Sequence, residues 1–245
     1  MEVVGVIPAR FASTRFPGKP LVPILGKALI ERVYLRAKKC LCLSELLVAT
    51  DDERILTFCE NAGIPVMMTS ERHRSGTDRV CEVAEKIFAD AYVNIQGDEP
   101  LVSAPALDAL ISEASKAKAG VATLAAKLKK DAPEVRDANV VKVVCDSKGF
   151  ALYFSRSPIP YPRYPEEANY LQHVGVYYFT REALMKFAKL SASTLELAEG
   201  LEQLRLLENG IPIFVVVSDY RPISVDTPED VAKVERILKE MGEEY

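Results

Sequence analysis

The chain has no tryptophan, only two histidines (His73 and His173) and five scattered cysteines, Cys40, Cys42, Cys59, Cys81 and Cys145, among 245 residues. Without CxxC pairs or a histidine cluster, a zinc centre has no ligand set. With no GxSxG elbow, a Ser–His–Asp nucleophile is disfavoured as well. The cysteines are too sparse for a disulfide scaffold, so they read as buried thiols of a reducing cytoplasm. No apolar run reaches 18 residues and no basic-then-apolar leader opens the chain, so a cytoplasmic protein without membrane insertion is expected. An excess of one charge is also missing: 31 Lys and Arg stand against 35 Asp and Glu, a net charge of −4. That balance disfavours a nucleic-acid partner or an anionic-membrane surface, and leaves room for a local basic pocket around a small polyanion. With 49% apolar residues, Gly 12 and Pro 15, collagenous and disordered classes are excluded. The length predicts one domain, residues 1–245, with a smaller lobe at about 121–180.

Val3–Ala9 is a continuous apolar run that predicts a strand, followed by the loop RFASTRFPGKP and a helix over about Ala28–Lys39. Leu46–Ala49 predicts a strand, and Asp52–Asn61 a helix with Gly63 at its exit. A capped helix over Thr77–Phe88 and a strand over Ala91–Ile95 follow, then the loop QGDEP and a helix over about Ala104–Lys118. This alternation implies an α/β fold with a mostly parallel sheet and helices on both faces. The pattern then changes to strands near Val121–Leu128, Val140–Cys145, Ala151–Phe154 and Val174–Phe179, with short polar connections that suggest a more antiparallel lobe. The stretch Ser157–Pro165 is too proline-rich for a helix interior or central strand, so it is an extended loop that covers a site or meets another subunit. Leu195–Leu207 reads as one helix, Ile213–Val217 as a strand and Pro228–Met241 as a terminal helix.

The loop after the first strand carries Arg10, Arg15 and Lys19 among Ser13, Thr14 and Gly18. Three cations on a short loop either converge on phosphates or form a solvated charged surface. Their spacing is neither that of a P-loop nor that of a dinucleotide fingerprint. QGDEP sets Asp98 and Glu99 at the carboxyl end of a strand, where open sheets take ligands and where an Asp can hold Mg²⁺ against nucleotide phosphates. Asp226 stands before the last helix, either as a second such carboxylate or as a capping residue. In RHRSGTDR, Ser75, Gly76 and Thr77 offer backbone groups to a base edge and Arg74 or Arg79 a charge to an anion, or Thr77 caps a helix and the arginines are solvated. His73 suits an orienting role. Strand alternation puts His173, Gly175 and Tyr177 on one face, where a polar substrate or a satisfied core histidine both fit. ELAEGLEQLR contributes Glu196, Glu199, Glu202 and Gln203 beside a leucine stripe.

The ordered motifs IPARFASTRFPGKPL, HRSGTDR, NIQGDEP, FSRSPIPYP, H-x-G-x-Y, LEQLR and VDTPED extend from Ile7 to Asp230. Together they resemble the 3-deoxy-manno-octulosonate cytidylyltransferase family. The resemblance implies transfer of CMP from CTP to the anomeric 2-hydroxyl of 3-deoxy-D-manno-octulosonate (Kdo), with release of pyrophosphate, for lipopolysaccharide assembly. It further implies that Arg10, Arg15 and Lys19 hold the CTP phosphates with help from Ser13, and that Arg74, Ser75, Gly76 and Gln96 surround the nucleotide. Asp98 and Asp226 would bind Mg²⁺, Arg156, His173, Tyr177, Glu202 and Gln203 would surround Kdo, and the chain would form a homodimer. Arg15, Lys19, Asp98 and Asp226 form the implied catalytic set, acting by in-line attack without a protein nucleophile. Two departures stand out: Asp78 where Glu is common, and Leu197 where His is familiar, which weakens roles for Glu196 and Glu199. Transfer to another 2-keto sugar acid, a glycosyltransferase and a nucleotide-binding regulatory module are the competing functions.

Overall fold

The computed structural model describes residues 1–12 and 16–243. Contacts divide the chain into two units: residues 1–107 with 222–245, and residues 108–221.

In the first unit the apolar run becomes strand β1 (Val3–Ala9), whose Val3, Val4, Val6 and Ile7 are fully buried. A short 3-10 turn (Lys19–Leu21) leads to the hairpin β2 (Pro23–Ile24) and β3 (Lys27–Ala28). Helix α1 (Leu29–Ala37), strand β4 (Glu45–Thr50), helix α2 (Glu53–Asn61), strand β5 (Val66–Met68), helix α3 (Gly76–Lys86) and strand β6 (Ala91–Asn94) alternate as the sequence pattern requires. β1 pairs in parallel with β4 on one side and β6 on the other, and β4 with β5. Buried on both faces, these strands show continuous apolar runs rather than alternation. Asp52 caps α2 by accepting from the Arg54 N–H, and Gly63 follows the helix at φ 65°. α4 (Ala104–Lys116) carries the chain from the first unit to the second.

The second unit contains β7 (Val121–Leu128), β8 (Lys142–Cys145), β9 (Ala151–Ser155), β10 (Tyr170–Thr180), helices α5 (Arg181–Phe187), α6 (Thr194–Glu199) and α7 (Leu204–Glu208), and β11 (Ile213–Ser218). β8 and β9 form the expected antiparallel hairpin, whereas β7 passes over β8 to pair antiparallel with β10 and parallel with β11. The single helix expected over Leu195–Leu207 is two helices. Gly200 takes the left-handed conformation (φ 62°, ψ 42°), which ends α6 and lets Leu201 donate to the Glu196 carbonyl at 3.1 Å. The chain then returns to the first unit as α8 (Pro228–Glu240). The class is the expected one: a mostly parallel sheet flanked by helices, with a more antiparallel second part.

One close approach shapes the loop that follows β6. A Cβ on Gly97 would lie 2.5 Å from the Pro8 carbonyl oxygen, so no other residue fits there without backbone movement. Pro8 itself is tolerated in a central strand because β6 stops pairing at Val6, so the missing N–H has no ladder partner to lose. Gly97→Ala should lower unfolding stability by about 1–3 kcal/mol, the usual cost of overpacking. A urea midpoint equal to that of the parent chain would show that the contact does not constrain the loop.

Candidate functional site

Because β1, β4, β5 and β6 are parallel, the residues just past their ends share one edge: Arg10, Asp51, Ser70 and the segment Gln96–Asp98. The N–H of Val225 donates to the Asp98 carbonyl at 2.9 Å and draws the segment before α8 to the same edge. Lys19 sits at the start of the 3-10 turn after Gly18. Its Nζ donates to Asp98 Oδ2 at 2.8 Å and to Asp226 Oδ1 at 3.4 Å. With the Lys19 side chain only 14% exposed, this is a partly desolvated triad rather than a surface ion pair.

Each acidic or basic member has its own scaffold. Asp230 in the first turn of α8 accepts from the N–H groups of Asp226 (3.0 Å) and Thr227 (2.9 Å) and from Thr227 Oγ1 (3.1 Å). Burial pushes the Asp230 carboxyl up, but these hydrogen bonds outweigh it and hold the group below the ordinary range. The start of α3 repeats the device. Ser75 Oγ accepts from the Asp78 N–H at 3.1 Å, and the Asp78 carboxylate accepts from the N–H groups of Arg74 (3.1 Å) and Ser75 (3.0 Å). Asp78 therefore completes a capping box that pins Arg74, Ser75 and Gly76, and its shorter side chain suffices for that role. Arg10 Nη2 donates to the His73 carbonyl at 2.8 Å, which fixes Arg10 against the same loop. His73 Nε2 lies 2.6 Å from Glu82 Oε2. Burial would raise the Glu82 carboxyl, but Lys86, the Ser70 N–H and His73 overcome it and bring it to about 2.

Arg79, one of two arginines offered for an anion, has another task. It is fully buried and bonded to Asp51, to Thr69 Oγ1 at 2.7 Å and to the Ser70 carbonyl at 3.2 Å, so it ties α3 to the loops after β4 and β5. Arg74 is exposed beside the α3 N-terminus, and Gln96 is half-buried at the end of β6. Ser13 and Arg15 lie outside the described residues. Among the described residues no three His, Cys, Asp or Glu side chains form a ready-made metal cage.

In the second unit the pairing of β10 with β7 shifts register between Val174 and Tyr177, so the simple alternation of His173, Gly175 and Tyr177 is interrupted. The His173 and Tyr177 rings nevertheless lie 5.4 Å apart. Thr123 Oγ1 sits 3.0 Å from His173 Nε2, and 3.1 and 2.8 Å from the carbonyls of Val174 and Val176. The single hydroxyl hydrogen is directed to those carbonyls, which makes Thr123 the acceptor and His173 the Nε2–H tautomer, with Nδ1 left as an acceptor. Burial lowers the His173 imidazole to about 3, so it stays neutral. Burial, with Glu202 nearby, pushes the Tyr177 phenol well up. Gln203 is buried, and its Nε2 has no partner among the described residues.

Arg156 is anchored to the backbone around it. Its guanidinium donates to the carbonyls of Glu199 (2.7 Å), Ala138 (2.9 Å) and Gly200 (3.4 Å) and so caps the C-terminus of α6. Glu199 accepts from Ser155 Oγ at 2.7 Å and the Arg156 N–H at 3.0 Å, while Glu196 accepts from Arg205 Nε at 2.7 Å. The two glutamates flanking Leu197 thus hold the backbone around the sugar-site candidates. Lys142, fully buried, donates to the carbonyls of Arg156 at 2.6 Å and Asp137 at 2.8 Å, and burial lowers its pKa. Sequence reasoning missed the capping roles of Asp78 and Asp230, and it missed Thr123 and Lys142. The first two carry a readable S/T-x-x-D capping signature; an inward Thr or Lys on a strand carries none.

Neutral His173 has a consequence for stability. The unfolded chain takes up a proton below about pH 6.5, whereas the folded chain resists until about 3, so the contribution is complete above 6.5 and erodes as pH falls through that window. His173→Gln should remove this part of the acid sensitivity. Urea unfolding at about pH 7 and about pH 5 checks it, since an equal loss of stability in both proteins between those conditions would contradict a depressed imidazole.

The sequence matches the cytidylyltransferase family over residues 4–215. It is 46% identical to a 3-deoxy-manno-octulosonate cytidylyltransferase of Syntrophotalea carbinolica, covering 98% of this chain and 99% of the relative. It is 48% identical to one of Nitratidesulfovibrio vulgaris, covering 96% of each chain. A solved structure of a CMP:2-keto-3-deoxy-manno-octonic acid synthetase complexed with CTP superposes with a TM-score of 0.94 at 42% identity, over 98% of this chain and 100% of that one. With the same fold, full-length coverage and close to half of all residues shared, the chain belongs to the 3-deoxy-manno-octulosonate cytidylyltransferase family.

Proposed function

We infer that the chain transfers CMP from CTP to the anomeric 2-hydroxyl of Kdo, giving CMP-Kdo and pyrophosphate for lipopolysaccharide synthesis. The observation that carries this reading is the Lys19 ammonium held by Asp98 and Asp226 at the carboxyl edge of the parallel strands. Cations there suit a triphosphate, and the kinship with Kdo cytidylyltransferases supports CTP as donor and Kdo as acceptor. Arg10 and Lys19, with Arg15 and Ser13 from the same loop, are assigned to the phosphates. Arg74, Ser75, Gly76 and Gln96 are assigned to the nucleoside. Arg156, His173, Tyr177, Glu202 and Gln203 are assigned to Kdo, where a neutral His173 offers Nδ1 to a sugar hydroxyl and Gln203 offers an unused N–H.

Asp98 and Asp226 also fit Mg²⁺, which takes one or two carboxylates and completes its octahedron with substrate phosphates and water. Bound there, Mg²⁺ would neutralise phosphate charge and polarise the α-phosphoryl group. The remaining work belongs to the chain itself. Lys19 and Arg10 stabilise charge that accumulates on the departing pyrophosphate, and the capping boxes at Asp78 and Asp230 keep their neighbours in place during the step. Attack by the Kdo oxygen in line with the leaving group needs positioning and charge stabilisation, with no protein nucleophile.

We also place the chain in the cytoplasm, where five cysteines that form no disulfide fit a reducing compartment. No described helix is long and apolar enough to cross a membrane. We assign homodimerisation to the smaller lobe at about 121–180 within a single catalytic domain of residues 1–245. A cavity of about 850 Å³ lined by Val135, Pro158, Tyr161, Pro162 and Tyr170, with Tyr161 largely exposed, supports that assignment.

Pyrophosphate release should require CTP and Kdo together, with ATP, GTP and UTP inactive; release with a different sugar acid but not Kdo would overturn the acceptor. Asp98→Ala and Asp226→Ala should each lower kcat by about 10²–10³, as for other charge-stabilising groups. Near-parental turnover of both variants at saturating substrates and Mg²⁺ would remove these residues from the reaction. Light scattering should give twice the chain mass at assay concentration, and a monomer would end the dimer assignment.

A further inference from the structure

A second concentration of positive charge lies outside the residues assigned to the reaction. Lys27 on β3, Arg32, Arg36 and Lys39 on and after α1, and Gly242 and Glu243 after α8 line a cavity of about 420 Å³. Among the described residues that line it, four are cations and one, Glu243, is a carboxylate. Arg36 Nη2 donates to Glu243 Oε1 at 2.5 Å and Arg32 Nη1 to Oε2 at 3.4 Å, so both carboxylate oxygens are taken by guanidinium groups. The ion pairs at this cavity are those of Arg32 and Arg36 with Glu243, and neither the Lys27 nor the Lys39 ammonium has an ion-pair partner among the described residues.

Arg32 is the fixed floor of this cavity. It is 6% exposed, and it donates through Nε to the Ile24 carbonyl at 2.6 Å and through Nη2 to the Leu25 carbonyl at 2.9 Å. These bonds hold Leu25 at φ 42°, a conformation that a side-chain-bearing residue rarely adopts, with the Leu25 N–H donating to Glu235 of α8 at 3.1 Å. Burial lowers the Arg32 pKa against the pull of Glu243, with Arg36 lowering it further and Glu31 and Glu235 raising it. An anion in the cavity therefore meets one immobile guanidinium, one hydrogen-bonded guanidinium and two ammonium groups, the chemistry that recognises a phosphate.

We propose that this cavity is a phosphate-binding site separate from the reaction centre, closed in this structure by Glu243 acting as an internal substitute for the phosphate. A carboxylate spread across two arginines occupies the place of two phosphate oxygens, and the remaining oxygens of a phosphate would reach Lys27 and Lys39. The Glu243 N–H donates to the Leu238 carbonyl at 2.9 Å, so its side chain can turn out of the cavity while the backbone keeps its bond to the end of α8. A phosphate free in solution and one carried on a lipid share this chemistry.

The test is a titration of the ¹⁵N-labelled full chain with inorganic phosphate, followed at the amides of Lys27, Lys39 and Gly242. Saturable shifts at these amides are expected. Glu243→Gln should tighten the interaction about tenfold by removing the competing charge, and Arg36→Gln with Lys39→Gln should abolish it. Vesicles of phosphatidylcholine containing phosphatidic acid form the second arm. Response to inorganic phosphate alone assigns a soluble source and response to vesicles alone a lipid source, and both support the site. Absence of any response in both arms, shifts confined to the amides around Arg10 and Lys19, or an affinity indifferent to Glu243→Gln, would overturn it.

Discussion

Two carboxylates, Asp98 and Asp226, are brought to one ammonium from distant parts of the chain, and much of the first unit serves that convergence. Acidic groups held together repel unless positive charge stands near them, and partial burial strengthens both the repulsion and its relief. Lys19 supplies that charge here. The arrangement is therefore already selective for cations around an anionic edge, which is the electrostatic requirement for moving a nucleotidyl group between two negatively charged partners.

Many of the supporting contacts are made to backbone groups. Val225 bonds to the Asp98 carbonyl, Asp230 gathers the N–H groups before α8, and Asp78 does the same before α3. In the second unit, Arg156 and Lys142 donate to backbone carbonyls. A charged side chain bonded to backbone fixes the path of the loop as well as itself, so the site is pre-organised before substrate arrives. Gly97 acts in the opposite way, by lacking a side chain where the Pro8 carbonyl comes close.

Much of this fold was legible in the residues. Val3–Ala9 and Val121–Leu128 are found with the expected bounds, because long buried strands leave unbroken apolar runs. The helix expected through Leu195–Leu207 was misread because its leucine stripe keeps helical spacing across Gly200, and only the glycine's left-handed backbone reveals the break. The short helix α5 went unnoticed for the opposite reason: seven residues are too few for a periodic pattern to stand out. Arg79 and Arg74, two arginines in one motif, looked interchangeable; they separate because Arg79 lies on the buried face of α3 whereas Arg74 precedes the helix N-cap and is exposed.

By itself, the sequence determined the alternation of strands and helices and the family to which its motifs point. Those are properties of local patterning and residue type. Which carboxylates meet Lys19, which tautomer His173 holds beside Thr123, and that Glu243 closes a basic cavity beside α1 were decided only by tertiary structure. The physical reason is that hydrogen bonding and electrostatics act over a few ångströms in space, and the partners concerned are separated by tens to hundreds of residues of chain that only folding brings together.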